Sequence, residues 1–180
     1  MRHKITVLAL VGYLFLIAGC NKEKTANPVE GNYFYKFDEV AHYTIAEEKV
    51  KTIYNRDNKT EKDSITRKLY YRRSDKRLDA EVDKLNESYY TSKRLDTILY
   101  PKLREVFKER SPTGDGSETA CEPEFRDIFV FKNEGEIIGM SKICYTCGKF
   151  DFIGTKANTN NFGNNGKFVT LSSLLSKNEK

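Results

Sequence analysis

Phe125-Arg126-Asp127-Ile128-Phe129-Val130-Phe131, followed by Lys132-Asn133-Glu134-Gly135 and Glu136-Ile137-Ile138-Gly139-Met140-Ser141-Lys142-Ile143-Cys144, is the stretch that decides the fold. Phe125 to Phe131 carries apolar residues at both parities. That is the pattern of a strand buried on both faces, and hence central in its sheet. Lys132 to Gly135 has turn chemistry, and Glu136 to Cys144 reads as the strand that returns, making a hairpin. Phe150-Asp151-Phe152-Ile153-Gly154 predicts a third strand. The Asn/Gly-rich segment from Asn158 to Gly166 reads as a loop. Phe168, Leu171, Leu174 and Leu175 then mark a closing amphipathic helix.

Upstream, Gly31 to Ile45 is rich in aromatic and β-branched residues and predicts one or two strands. Between Ala46 and Arg110 nearly half the residues are charged, and helical spacing takes over. Thr60 with Asp63 resembles a capping box ahead of Ile65 and Leu69, although the stretch around Ile65 also fits a strand. Leu78, Val82 and Leu85 form a second stripe. Pro101 suits the first position of a helix carrying Leu103, Val106 and Phe107. Ser111 to Gly116 is a turn-rich loop. No internal repeat is visible. The expected class is α+β: a small antiparallel sheet with a central hairpin, packed by several amphipathic helices.

The 180 residues include only 38% apolar residues and 32% charged ones, but 11 Tyr and 11 Phe supply large pieces of core, which argues for a folded domain. Residues 31–180 are expected to form that single globular domain. The formal net charge of +5 includes Arg2 and Lys4 of the leader, and the remainder is too small to imply a nucleic-acid partner.

Met1-Arg2-His3-Lys4 is a short basic leader, and Ile5 to Ile17 is almost wholly apolar. At 1.5 Å per residue that run spans about 20 Å, short of a bilayer core of roughly 30 Å. It therefore suits a cleaved signal peptide (residues 1–19) better than a spanning helix. The ending Ile17-Ala18-Gly19-Cys20 resembles the lipobox of bacterial lipoproteins. The resemblance implies cleavage before Cys20, fatty acylation of its thiol with chains of the palmitate class, and usually acylation of the new amine. Several chains on Cys20 would anchor the protein firmly to a lipid bilayer. Residues 20–30 then form the lipidated N-terminus and a flexible tether. Position 21 is Asn and not the Asp that in some envelopes marks inner-membrane retention, so the resemblance implies the outer membrane of a Gram-negative bacterium.

Three cysteines remain: Cys121, Cys144 and Cys147. Four chemistries compete for them. Export would put the thiols in an oxidising compartment, where a pair tends to bond. Cys121 precedes one strand of the hairpin and Cys144 ends the other, so these two are expected to lie close, with the odd thiol buried or exchanging within the Cys-x-x-Cys pair. Alternatively, Cys144-x-x-Cys147-Gly148 resembles a zinc knuckle, with Cys121 and His42 available to complete a tetrahedral set; a second knuckle is missing. Thiol-redox catalysis needs Cys-x-x-Cys at a helix N-terminus, and Gly148-Lys149-Phe150-Asp151-Phe152 reads as a strand. Covalent haem attachment needs a His where Gly148 stands, and fails.

Cys121 and Pro123, Ile128 to Phe131, Gly135, Ile143 with Cys144 and Cys147, Ile153-Gly154-Thr155 and Phe162-Gly163 together resemble a domain of small uncharacterised exported proteins, over residues 120 to 176. That resemblance implies a shared domain and supplies no activity.

Arg67-Lys68-Leu69-Tyr70-Tyr71-Arg72-Arg73 with Lys76-Arg77 is a basic run with interleaved tyrosines, of a kind that contacts anionic head groups or acidic glycans. The plainer expectation is a solvated helix face offset by Asp75, Asp79, Glu81 and Asp83. Asp63-Ser64-Ile65 and Asp96-Thr97-Ile98 resemble a short bacterial O-glycosylation motif. No nucleophile elbow, phosphate loop or zinc-protease motif is present. His42 follows the leader as the lone histidine, and nothing marks a serine partner for it. The expectation is a non-enzymatic envelope lipoprotein, without cofactor, that binds an envelope protein partner or serves a structural role. The alternative is a thiol-redox or zinc protein built on Cys121, Cys144 and Cys147.

Overall fold

The computed structural model describes residues 32–111, 120–164 and 166–178. The leader, Cys20 and the tether lie outside the described residues, as does all of the expected 111–116 loop except Ser111. In chain order the elements are β1 (Glu39–Thr44), α1 (Glu47–Asn55), α2 (Glu61–Tyr71), α3 (Leu78–Asn86), β2 (Thr91–Arg94), a 3₁₀ turn (Thr97–Leu99), α4 (Tyr100–Val106), β3 (Asp127–Asn133), β4 (Glu136–Cys144), β5 (Lys149–Ile153) and α5 (Lys167–Asn178). The strands form one antiparallel sheet in the order β2-β1-β3-β4-β5. No helix among the described residues is long and apolar enough to cross a membrane.

The hairpin β3–β4 occupies the middle of this order, as its two-faced apolar pattern requires. Glu134 and Gly135, both at positive φ, make a two-residue turn whose twist matches the flanking strands. Register moves from Lys132↔Ile137 to Phe131↔Gly139, so Ile138 is a bulged extra residue on β4. Beyond the bulge the pleat sorts the side chains. Phe129 and Phe131 share one face with Val40 and Ile143, while Ile128 and Val130 share the other with Met140.

Each face has its own cover. Leu99, Tyr100, Leu103, Val106 and Phe107, with Leu171, Leu174 and Leu175 of α5, close over the phenylalanine face. Leu69, Tyr70, Val82 and Leu85 of α2 and α3 close over the opposite one. Antiparallel sheets usually leave one face to water. Here both are buried, which is why β3 could not alternate polar with apolar.

α2 begins with the expected capping box: Thr60 Oγ1 accepts from the Asp63 amide at 3.1 Å, and the Asp63 carboxylate accepts from the Thr60 amide at 2.8 Å. The stretch around Ile65 is therefore helix and not strand. Pro101 sits in the first turn of α4, where its missing N–H costs nothing. Among the described residues from Asn32 to Ile45 only β1 is a strand. Tyr33 makes an isolated bridge to Lys108, and Phe34, Tyr35 and Phe37 lie across the phenylalanine face as core. The Tyr35 ring stacks on Phe131 at 4.3 Å and rests over Gly139, where any Cβ would overlap it. Its hydroxyl reaches the carbonyls of Met140 and Ile153, each at 2.9 Å.

Candidate functional site

At the open end of the hairpin, β4 runs out at Cys144, a turn follows, and β5 starts at Lys149. Gly148 in that turn takes φ 60°, a left-handed conformation suited to glycine. The Cys121 and Cys147 sulfurs lie at disulfide-bonding distance, with Cα atoms 5.9 Å apart. Cys144 is left as a buried thiol. The expectation that Cys121 would meet Cys144 is thus corrected. Cys144 is still in strand register, on the face it shares with Met140 and Lys142, whereas Cys147 has passed the strand end and meets the incoming chain. The Cys144 sulfur accepts from the Glu124 amide at 3.3 Å and lies 3.3 Å from Thr146 Oγ1. Phe125 packs with both Cys144 and Cys147.

The segment from Cys121 to Arg126 is stitched to α2 as well. The Phe125 amide donates to Tyr70 O at 2.8 Å, and Arg126 binds Tyr70 Oη, Glu47 and Glu124, each at 3.0 Å. Burial pushes the Tyr70 hydroxyl up to about 12.

His42 does not join the cysteines. It lies on β1 with its ring stacked on Phe129 at 4.7 Å and Nε2 2.7 Å from Asp127 Oδ1. Among the described residues no group of three or more His, Cys, Asp or Glu could hold a metal ion. The residue run after Cys147 is β5, so the Cys-x-x-Cys pair does not begin a helix.

Beneath α2 and α3 lies a charged network that sequence patterning did not reveal. Lys142, 1% exposed, donates to Arg72 O at 2.8 Å and stands 3.4 Å from Glu81 Oε2. Glu81 Oε1 is 2.6 Å from Lys84 Nζ, which also binds Asp75. Desolvation drives the Lys142 ammonium below its ordinary range, with Glu81 opposing. Desolvation works against the Glu81 charge too, but its lysine partners hold the carboxyl below its usual range.

The same pairings bear on the basic run, whose Lys68 also acts on Asp75 electrostatically. Asp75 and Glu81 are taken by Lys84 and Lys142, and Asp79 by Arg77 at 3.6 Å. None of Arg67, Lys68, Arg72, Arg73 or Lys76 has a carboxylate at ion-pair distance among the described residues. A hollow of about 470 Å³ lies against this run, lined by Arg67, Lys68, Arg72, Tyr54, Tyr71 and Glu122 among others. A larger cleft of about 710 Å³ runs along β5, lined also by Arg73 and by Thr159 and Asn160 of the following loop. Of the two glycosylation-like triplets, Asp63 is committed to its cap and to Arg56, whereas Ile98 stands 77% exposed on the 3₁₀ turn.

The fold and site define a class: an antiparallel sheet clad by helices on both faces, with a cysteine-clipped hairpin end. No protein family, curated protein or solved structure matches this chain.

Proposed function

We propose that the protein is a lipid-anchored envelope lipoprotein, a non-enzymatic binding or structural module held to the outer membrane through acylated Cys20. The observation that carries the reading is the Cys121–Cys147 pair. A cystine of this kind persists in oxidising compartments and is rare in the reducing cytosol. It agrees with the basic leader, apolar run and lipobox-like Ile17-Ala18-Gly19-Cys20. The chain's own titratable groups support a scaffold more than a reaction centre: Lys142, Glu81, Asp63 and His42 all have close partners of opposite or accepting character.

A second reading, thiol exchange, is favoured by one observation. Cys144 and Cys147 both pack on Phe125, beside a bond that a thiolate could attack.

Intact mass of the protein taken from cell envelopes tests both. The expected result is loss of residues 1–19, added acyl mass on Cys20, a two-hydrogen deficit and a single alkylatable thiol at Cys144. An unprocessed, unacylated chain would sink the lipoprotein reading. Three alkylatable thiols outside Cys20, or a bound zinc mass, would put the cysteine cluster first.

A further inference from the structure

Among the described residues only some of the cations have carboxylate partners. Lys51, Arg56, Lys84, Arg94, Arg126, Lys132 and Lys142 all have carboxylate partners. Those without one include a contiguous set, Arg67, Lys68, Arg72, Arg73 and Lys76, on the last turns of α2 and the turn after it. Like charges so placed repel one another, and opposing acids would relieve that repulsion. Of the nearby acids, Glu81 is taken by Lys84 and the buried Lys142 and Asp75 by Lys84, while Glu122 lines the hollow beside Arg67, Lys68 and Arg72 without an ion pair to them. Nor are these side chains needed to satisfy the helix end, since Lys142 Nζ already takes the Arg72 carbonyl. Tyr54 stands 64% exposed beside them, and its ring lies 5.9 Å from the Arg67 guanidinium.

We propose that this basic ridge docks on the anionic head groups of the bilayer, so that the domain lies against the membrane in one orientation. The proposal rests on the anchoring of Cys20. Twelve residue steps separate Cys20 from Asn32, and covalent geometry limits them to about 40 Å. Asn32 is fastened to Glu109, which also accepts from the Asn158 amide. Thr159 and Asn160 of the loop that follows line the β5 cleft, as does Arg73. The exit point of the tether is thus tied, through Glu109 and Asn158, to a loop that shares the β5 cleft with Arg73 of the ridge. The anchor holds the ridge at high effective concentration over the head groups. Arg67, Lys68 and Arg72 line the hollow of about 470 Å³ with Glu122, and Arg73 and Lys76 lie in the turn beyond it, a spread that meets several phosphates rather than one. An exposed tyrosine beside it suits the head-group layer. Each cation within a screening length of an anionic leaflet strengthens attachment by about fivefold, so losing three weakens it on the order of a hundredfold.

The test is amide hydrogen exchange on the acylated full-length mature protein, reconstituted in phosphatidylcholine vesicles with or without phosphatidylglycerol. Exchange in residues 67–77 is expected to slow severalfold only in the anionic vesicles, while β2 is unchanged. The slowing should vanish as salt rises from about 0.1 to about 1 M, which shortens the screening length from about 10 to about 3 Å. It should also vanish in Arg67→Gln/Arg72→Gln/Arg73→Gln, and survive in Lys36→Gln/Lys102→Gln/Lys156→Gln, which removes equal charge elsewhere. If the first variant misfolds, Arg73→Gln/Lys76→Gln, in the exposed turn, replaces it. Equal exchange in both vesicles, equal loss in the control, or slowing by a soluble acidic polysaccharide alone would overturn the proposal. Failure of the protein to float with neutral vesicles would overturn the anchor reading as well.

Discussion

Tyr35 and Gly139 behave as one unit although more than a hundred residues separate them. The ring lies flat on β4 only because position 139 has no Cβ, and the hydroxyl then reaches two carbonyls at the end of the β4–β5 ladder. Gly139→Ala forces the ring off Phe131 and is expected to cost about 1–3 kcal/mol, as overpacking of a filled core does. Tyr35→Phe, which keeps the ring and loses the hydroxyl, is expected to cost about 1 kcal/mol. Urea midpoints rank them, and a Gly139→Ala midpoint equal to wild type would show the ring free to move. The Lys142–Glu81 pair obeys a different rule. Glu81→Gln leaves the buried ammonium short of its nearest countercharge and is expected to lower stability by about 3 kcal/mol. Adding Lys142→Met to it should recover much of that loss, because no buried cation then remains to be paired. A double variant no better than Glu81→Gln would show that the Lys142 bond to Arg72 O matters more than its charge. Neither pair was legible in the sequence. Tyr35 sits in a run of aromatics that all read as strand, and Lys142 stands at a position whose neighbours read as core. Only the fold shows that one ring needs a glycine and that one lysine is inside.

At the scale of elements, legibility followed how much of the structural signal was local. The hairpin, α2, α3, α4, β5 and α5 were readable because apolar spacing, a capping box or a proline marks each. α1 and β2 were not. β2 is Thr-Ser-Lys-Arg with every residue exposed, and it is a strand only because β1 offers it an edge. Its shortness and charge also guard that edge against further pairing. The clearest local mark, the capping box of α2, gives a pH prediction. The Thr60 amide, and then the Thr60 hydroxyl and Arg56, hold the Asp63 carboxyl below its usual range against the cost of burial. A carboxyl depressed on folding stabilises the fold above its unfolded pKa, near 4, and loses that contribution as pH falls through its folded value. Asp63→Asn is therefore expected to be less stable than wild type at pH 7, with the gap closing as pH drops from about 5 toward 2. Denaturant midpoints across that range decide it. A gap that stayed constant would mean the carboxylate charge contributes nothing beyond the shape of the cap.

On the scale of the whole molecule, two cores share one sheet, and the chain crosses between them. α1 to α3 cover one face, then α4 covers the other, and only afterwards do β3 and β4 complete the sheet between them. Such a fold cannot close either core until residues far apart in sequence have paired, so it depends on whatever fixes the late strands in register. The Cys121–Cys147 pair does this at the hairpin end. It holds the segment entering β3 against the turn leaving β4, where Phe125 also meets Tyr70 O and Tyr90 Oη. The two cysteines are 26 residues apart, and in the chain-entropy account a loop of that size stabilises by about 3–4 kcal/mol. Cys121→Ser/Cys147→Ser is thus expected to lower unfolding free energy by about 2–4 kcal/mol, and reduction of the wild type should match it. Because both cores share β1, β3 and β4, the transition should stay cooperative in the variant, with circular dichroism and tyrosine fluorescence giving one midpoint. Cys144→Ala tests the other thiol separately. It removes one sulfur from a packed site and should leave reduction sensitivity intact. If Cys144→Ala abolished that sensitivity instead, the bond in solution would run through Cys144, and the strand register at the end of β4 would have to open to allow it.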